Sequence, residues 1–306
     1  MKEKKTRPTV AQRAQSRFIT RQVKEPMELM SFLINNMSLS RTSAKSLLSH
    51  RLIYVNNKIQ TLYNYPLTPG MEIKISRDKN RKEFHSQLLD IVYEDRYLLV
   101  INKRQGLLSI ATEREKERTA YSILTEYIKR TNRQHRIFVV HRLDRDTSGL
   151  MVFAKDERTK ITLQDNWQRI VTDRRYVAVV KGKLERPQGS ITSWMKDNKM
   201  FTSYSAPHDN GGDLAITHYR TLKEGSEYSL VELKLETGRK NQIRVHMQDM
   251  GNPIIGDSKY GNGDNPIGRL ALHAFRLNFY HPVTKELMQF ETPIPQMFKK
   301  LIRITQ

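Results

Sequence analysis

The segment IFVVHRLDRDTSGLMVFAK, residues 137–155, consists of two apolar runs around a polar centre. Residues 137–140 and 150–154 are dense in branched and aromatic side chains, as strands buried on both faces are. Between them stand His141, Arg142, Asp144, Arg145, Asp146, Thr147 and Ser148. Setting so many polar groups between buried strands costs desolvation, so an ordinary turn is a poor use for them. The pattern suits a carboxylate held at the floor of a cleft, with Asp144 and Asp146 as the two candidates. Residue types alone leave several chemistries open. Paired acids serve glycoside hydrolysis, although there the partners usually come from distant elements. His141 and Asp144 have the chemistry of metal ligands, yet no second histidine cluster with ligand spacing accompanies them. His141 reads more readily as a hydrogen-bonded structural ring, and Asp146 with Thr147 as a turn cap.

Outward from this segment, apolar and alternating runs predict strands at 97–102, 137–141, 150–154, 176–180, 228–236 and 270–279. In the fifth of these, Val231, Leu233 and Leu235 alternate with Glu232, Lys234 and Glu236, the pattern of a half-buried strand. Helical spacing predicts helices at 120–129, 160–170 and 241–250. Strands dominate and the links are short. Residues 87–306 are therefore expected to form an α+β domain with a mixed, mostly antiparallel sheet and flanking helices. Residues 196–215, which include His208-Asp209-Asn210-Gly211-Gly212-Asp213, read as a surface excursion.

The first quarter of the chain differs in character. Residues 1–83 hold 17 Lys/Arg against 6 Asp/Glu, and the whole chain of 306 residues carries a net charge of +21. That excess calls for a polyanionic partner, most often nucleic acid. Residues 1–26 are polar and weakly periodic, the composition of a flexible basic arm. Within 27–76, Leu29, Phe32 and Leu33 recur at helical spacing, and Ser40 is placed to cap a second helix through Ala44, Leu47 and Leu48. A strand–turn–strand at 53–59 and an alternating run at 71–75 complete a small helix–helix–hairpin unit. Residues 77–86 read as a charged linker. The chain has no cysteine, which excludes disulfides, thiolate nucleophiles and cysteine-based zinc sites. No apolar run approaches the ~18 residues of a membrane helix, and the N-terminus lacks the apolar stretch of a secretory signal. A cytoplasmic monomer with no membrane contact is the expectation.

Four blocks, in order, give a sharper reading. HRLDRDTSG (141–149) resembles the central motif of the RluA-type RNA pseudouridine synthases. DRYLLVINKRQGL (95–107) is similar to that family's first motif, RRYVAVVKG (174–182) to the segment with its active-site tyrosine, and LETGRKNQIRVHMQDMGNPIIGDSKYG (235–261) to its closing motif, which LALHAFRLNFYHP (270–282) follows. LSRTSAKSLLSHRLIYVNNKI (39–59) resembles the S4 RNA-binding domain. The resemblance implies conversion of specific uridines to pseudouridine in structured RNA, with large-subunit ribosomal RNA as the expected substrate and no cofactor or metal. It makes Asp144 the essential aspartate, with Tyr176 stacking on the target base and taking its proton. Arg244 would pair with Asp144, Arg142 would fill the gap left by the displaced uridine, and Ile243 would pack against the site. In the S4-like block, Arg41, Lys45 and Arg51 would meet RNA. Two positions depart from the family pattern: Arg104-Gln105 where Pro-x is common, and Asn241 where histidine is common.

Two rival readings remain, a transfer-RNA pseudouridine synthase and a catalytically silent RNA-binding or assembly factor. The charge distribution carries its own test. Deleting residues 1–77 should weaken binding to structured RNA and flatten the log–log salt dependence of affinity, because fewer phosphates are contacted. Unchanged affinity and slope would refute a separate RNA-binding role for this block.

Overall fold

The computed structural model describes residues 18–49, 52–56, 58–76, 84, 86–113, 118–130 and 133–303. It divides into two compact units, residues 1–84 and 85–306.

In the first unit, β1 (Phe18–Gln22), β2 (Met27–Glu28), α1 (Leu29–Asn35), α2 (Arg41–Ser49), β3 (Ile53–Val55), β4 (Lys58–Ile59), β5 (Pro66–Leu67) and β6 (Glu72–Ser76) follow one another. A four-stranded sheet runs in the order β1-β6-β3-β4. Leu29, Phe32 and Leu33 are fully buried and meet Ala44, Leu48, Ile53 and Ile73 in one apolar cluster. Ser40 does cap α2, accepting the Ser43 backbone N–H at 3.1 Å. The expected arm at 1–26 needs correction, because Phe18–Gln22 pairs with β6 from Phe18↔Ser76 to Gln22↔Glu72 and Val23 is buried. The edge strand keeps polar Thr20, Arg21 and Gln22, which is why its pattern looked like tail. Residues 1–17 and most of the expected linker, 77–83 and 85, lie outside the described residues.

The second unit holds β7 (Leu89–Glu94), β8 (Leu98–Lys103), α3 (Ala120–Lys129), β9 (Phe138–Val139), β10 (Ser148–Ala154), α4 (Glu157–Asp165), α5 (Trp167–Ile170), β11 (Val171–Lys181), β12 (Gln188–Asp197), β13 (Ser203–Ala206), β14 (Asp213–Glu224), β15 (Tyr228–Leu235), α6 (Gln242–Asp249), β16 (Leu272–Tyr280), β17 (Leu287–Glu291) and α7 (Gln296–Arg303). One large sheet runs β13-β12-β14-β15-β11-β16-β10-β8-β7, with β17 on β16 and β9 on β10. Its pairs are antiparallel except β10 with β16. The α+β expectation therefore holds. Two expectations need refinement. The predicted helix at 160–170 is two helices, broken at Asn166, whose side chain donates to the Thr162 carbonyl. The predicted excursion at 196–215 is mostly exposed but includes strand, since β12 continues to Asp197, β13 pairs with it, and β14 starts at Asp213. Its buried positions include Ser203 and Ala215, small groups that give no hydrophobic period for sequence to show.

The parallel contact is short, Ser148↔His273 and Gly149↔Ala274. Gly149 has φ +122°, and a Cβ there would lie 2.1 Å from the Ala274 carbonyl oxygen. Only glycine lets β10 come this close to β16. Ala274 is also the register partner of Tyr176 on β11. The close approach thus brings the loop before β10 over the middle of β11.

Gly149→Ala should destabilise the second unit by about 3 kcal/mol or more, through a forced positive φ and a clash with backbone that has no room to move. Denaturant unfolding measures it, and a loss below about 1 kcal/mol would show that β10 can be re-seated cheaply.

Candidate active site

The loop from Val140 to Thr147 is pinned at several points. Lys103, at the end of β8, is fully buried and donates from Nζ to the carbonyls of Arg104, Leu107 and Arg145 at 3.1, 2.8 and 3.0 Å. The Gly106 N–H reaches the same Arg145 carbonyl at 2.9 Å. Ser109 clasps Leu143 from both sides, donating to its carbonyl at 2.7 Å and accepting from its N–H at 3.1 Å. The Thr147 N–H closes a turn onto the Asp144 carbonyl at 3.2 Å. His141 accepts the Val152 N–H at 3.1 Å and packs on Trp167 with ring centroids 4.7 Å apart. Burial, with Arg174 adding to it, pushes its pKa down to about 3. His141 is therefore a neutral strut. Two more histidines behave alike: His246, between Ser193 and Thr217, and His273, between Ser148 and Thr292, are both lowered to about 4, chiefly by burial.

The loop backbone around Asp144 is tied down, but its carboxylate is not. Among the described residues that carboxylate accepts no hydrogen bond, and its nearest cation is Arg244 Nη1 at 4.0 Å. Its side chain keeps 29% of its exposure, all of it towards a narrow cleft lined also by Arg142, Arg174, Tyr176, Ile243 and Arg244. Burial raises the Asp144 pKa; Arg244, Arg142 and Lys103 oppose the shift, and Asp146 adds to it. Lys103 answers from below, lowered to about 7 by burial against the pull of Asp144 and Asp146. Asp146 lies outside the cleft lining and contacts Arg145, as expected of a turn residue.

Tyr176 stands at an irregularity in the β11–β16 register and is 7% exposed. Such bulges re-aim side chains beside functional sites. Its hydroxyl has no hydrogen-bond partner among the described residues. Burial raises its pKa, Arg174 opposes, and the Asp144 charge raises it further. Ile243 is 4% exposed at the cleft wall, whereas Arg142 is exposed and makes neither hydrogen bond nor ion pair among the described residues. In the first unit, Arg41 and Lys45 lie exposed along α2, one turn apart. Arg51 falls outside the described residues.

The pairing of Arg244 departs from expectation. Its two-pronged partner is Asp257, which takes Nε at 2.7 Å and Nη2 at 2.6 Å. Asp257 has no exposed side-chain surface and also accepts the N–H groups of Lys259 and Tyr260, each at 2.9 Å. Burial alone would raise its pKa, but Arg244 and these N–H groups outweigh it and hold it low. Nη1 donates to the Asn241 side-chain oxygen at 3.0 Å, and the guanidinium lies 5.0 Å above the Tyr260 ring. Asn241 starts α6 in the left-handed region, φ 57°, which asparagine tolerates better than most residues. Arg244 is thus locked from three sides and meets Asp144 with one edge. Asp257 and Asn241 were not assigned from sequence, although a buried arginine implies a buried counter-charge, and Asp257 is one of three acids in the same motif.

Residues 97–249 match the model of the RNA pseudouridylate synthase family, and residues 36–73 match the S4 domain. An RNA pseudouridine synthase of Bacillus subtilis, YhcT, is 34% identical over 90% of this chain and 92% of its own length. Ribosomal large subunit pseudouridine synthase D of Pasteurella multocida is 32% identical over 86% of each chain. The solved structure of human RNA pseudouridylate synthase domain containing 4 superposes with a TM-score of 0.56 and 23% identity, covering 68% of this chain and 90% of that one, which speaks to the fold. The chain belongs to the RNA pseudouridine synthase family.

Arg244→Lys should not be conservative, because lysine cannot span Asp257 as a fork and still present an edge to Asp144. We expect kcat/KM to fall about 10²-fold, the scale of a displaced catalytic group. With Asp144 acting as the anion that the family resemblance implies, the acid limb of the wild-type profile should lie above the ordinary carboxylate value of 3.8, since burial raises its pKa. Arg244 opposes that shift, so weakening it should move the limb to still higher pH. Superimposable profiles would show that Arg244 does not act on Asp144.

Proposed function

We propose that this pseudouridine synthase acts on uridines of large-subunit ribosomal RNA, with Asp144 as the catalytic carboxylate. The observation that carries the catalytic assignment is a carboxylate left without a hydrogen bond among the described residues, on a loop whose backbone is held at Leu143, Asp144, Arg145 and Thr147. Pseudouridine formation breaks N1–C1′, turns the base, joins C5 to C1′, removes the C5 proton and protonates N1, so atoms and charge balance. An anionic oxygen at the cleft floor stabilises or captures the electron-poor C1′, as glycosidase carboxylates do. Raising its pKa makes that anion more reactive, and the fixed Arg244 edge keeps it charged.

Tyr176 offers a face for the splayed-out base. Its raised pKa keeps it a phenol at neutral pH, which supports stacking and argues against phenolate as the base for the C5 proton. Unpaired Arg142 is free to enter the space the uridine leaves, and Ile243 walls the pocket. Arg41, Lys45 and Arg51 would supply shape and phosphate contacts from the S4 domain. The S4 match and the relatives named as ribosomal large subunit enzymes favour ribosomal RNA over transfer RNA.

Asp144→Asn keeps the shape but not the anion. Mapping pseudouridine across all RNA in cells lacking the protein, then restoring wild type or variants, tests the assignment. Wild type and Asp146→Asn should return one or a few sites in large-subunit ribosomal RNA, and Asp144→Asn none. Recovery of those sites by Asp144→Asn would overturn the catalytic role; sites confined to transfer RNA would overturn the substrate.

A further inference from the structure

A second cavity, of about 360 Å³, adjoins the Asp144 cleft and shares Arg142, Arg174, Gly238 and Arg239 with it. Its far wall is Trp167, at the first position of α5, half-buried and continuous with a further hollow beyond. The placement of this indole is built in. Asn166 breaks the helix just before it. Gln164 ties α4 to the carbonyls of Val139 and Val140 at 3.2 and 3.3 Å, at the root of the Asp144 loop. One side of the indole rests on neutral His141, leaving the remainder to line the cavities.

The charges of this groove are unequally satisfied. Its acids are engaged: Glu236 with His218 at 2.6 Å, and Asp173, in the hollow beyond, with Arg175 at 2.9 Å. Two of its three arginines are less so. Arg142 has no partner among the described residues, and the hydrogen bond of Arg174 goes to the neutral Thr237 carbonyl at 2.8 Å, whereas Arg239 faces Asp213 across 3.6 Å and donates Nε to the Leu214 carbonyl at 3.0 Å. Arg174 lies so close over the Thr237–Gly238 backbone that a Cβ at Gly238 would come within 3.0 Å of its Nη1. A planar indole beside under-neutralised guanidinium groups is the chemistry that takes a base and its phosphate together.

The geometry points to a subsite for the nucleotide next to the target uridine, its base on Trp167 and its phosphate on Arg174. This rests on the RNA-modifying reading of the neighbouring cleft, because a strand that feeds a base to Asp144 must leave through an opening continuous with it. The cavity beside Arg142 is such an opening. Trp167 thereby selects for an unpaired neighbour, since a base held in a duplex cannot also lie on the indole.

Trp167 and Trp194 are the chain's two tryptophans, so Trp194→Phe in the full-length protein leaves Trp167 as the reporter. A five-nucleotide oligouridylate should quench its fluorescence saturably, at the concentration where labelled oligonucleotide binds by anisotropy. UMP, which has no neighbouring nucleotide, should not quench over that range. Trp167→Tyr should bind the oligonucleotide within about twofold of wild type, whereas Trp167→Leu, which refills the core but lacks a π-face, should bind about tenfold more weakly. Absence of saturable binding, binding without quenching, equal quenching by UMP, or wild-type affinity in Trp167→Leu would each overturn the subsite. Should Trp167→Leu fail to fold, the quenching and Trp167→Tyr arms still decide. Binding is read here without turnover, so failure of the Asp144 assignment would show in the pseudouridine maps and not in these titrations.

Discussion

The contact between Gly149 and Ala274 is one on which the cleft as a whole depends. A sheet places neighbouring strands ~4.8 Å apart, and here β16 is shared between β10 on one side and β11 on the other. Because Gly149 lies against the Ala274 backbone, and Ala274 faces Tyr176, a carboxylate before β10 and an aromatic ring on β11 come into one cavity without any long reach. The remaining restraints on the loop, from Lys103, Gly106 and Ser109, fix its height above the sheet. Every one of them binds backbone, which leaves the side chain of Asp144 free for chemistry.

Two carboxylates flank Arg244, and their surroundings drive them apart. Asp257 has four donors and no exposure and is held low, a permanent anion. Asp144 has no donor within hydrogen-bonding distance among the described residues and is raised. Pairs of titratable groups with opposed shifts commonly divide into structural and reactive roles. Arg244 can serve both because its planar fork faces Asp257 while Nη1, steadied by Asn241, turns toward the cleft. The position where Asn241 replaces the more common histidine is thus a working part of the site, through its side-chain oxygen and its left-handed backbone.

Much of this was legible in the chain. The polar centre in 137–155 marked the Asp144 loop because burying such a segment without function is costly. The helix 120–129 was readable from its period alone, and Thr119 with Ser122 closes its first turn. The hairpins between 188 and 224 were hidden because their buried positions include Ser193, Ala215 and Thr217, small or polar groups that blur the hydrophobic alternation of a strand. The split of 160–170 was hidden because Asn166 is tolerated within a helix and breaks this one only through tertiary context. At the site, residue identity showed which groups matter, but not who binds whom. That Arg244 clasps Asp257 and only approaches Asp144 depends on distances of an ångström, set by the fold and absent from any motif.

The three neutral histidines have a consequence for the protein as a material. His246 and His273 are buried, 0% and 4% exposed, and take up a proton only near pH 4 when folded. In the unfolded chain the same rings take it up near 6.5. Between those values the unfolded state binds more protons, so each unit of acidification weakens the fold by roughly 1.4 kcal/mol per ring. His141, lowered to about 3, extends the same drain further into acid. A scaffold that uses imidazoles as uncharged struts has in effect fixed a lower boundary to the acidity in which it can persist.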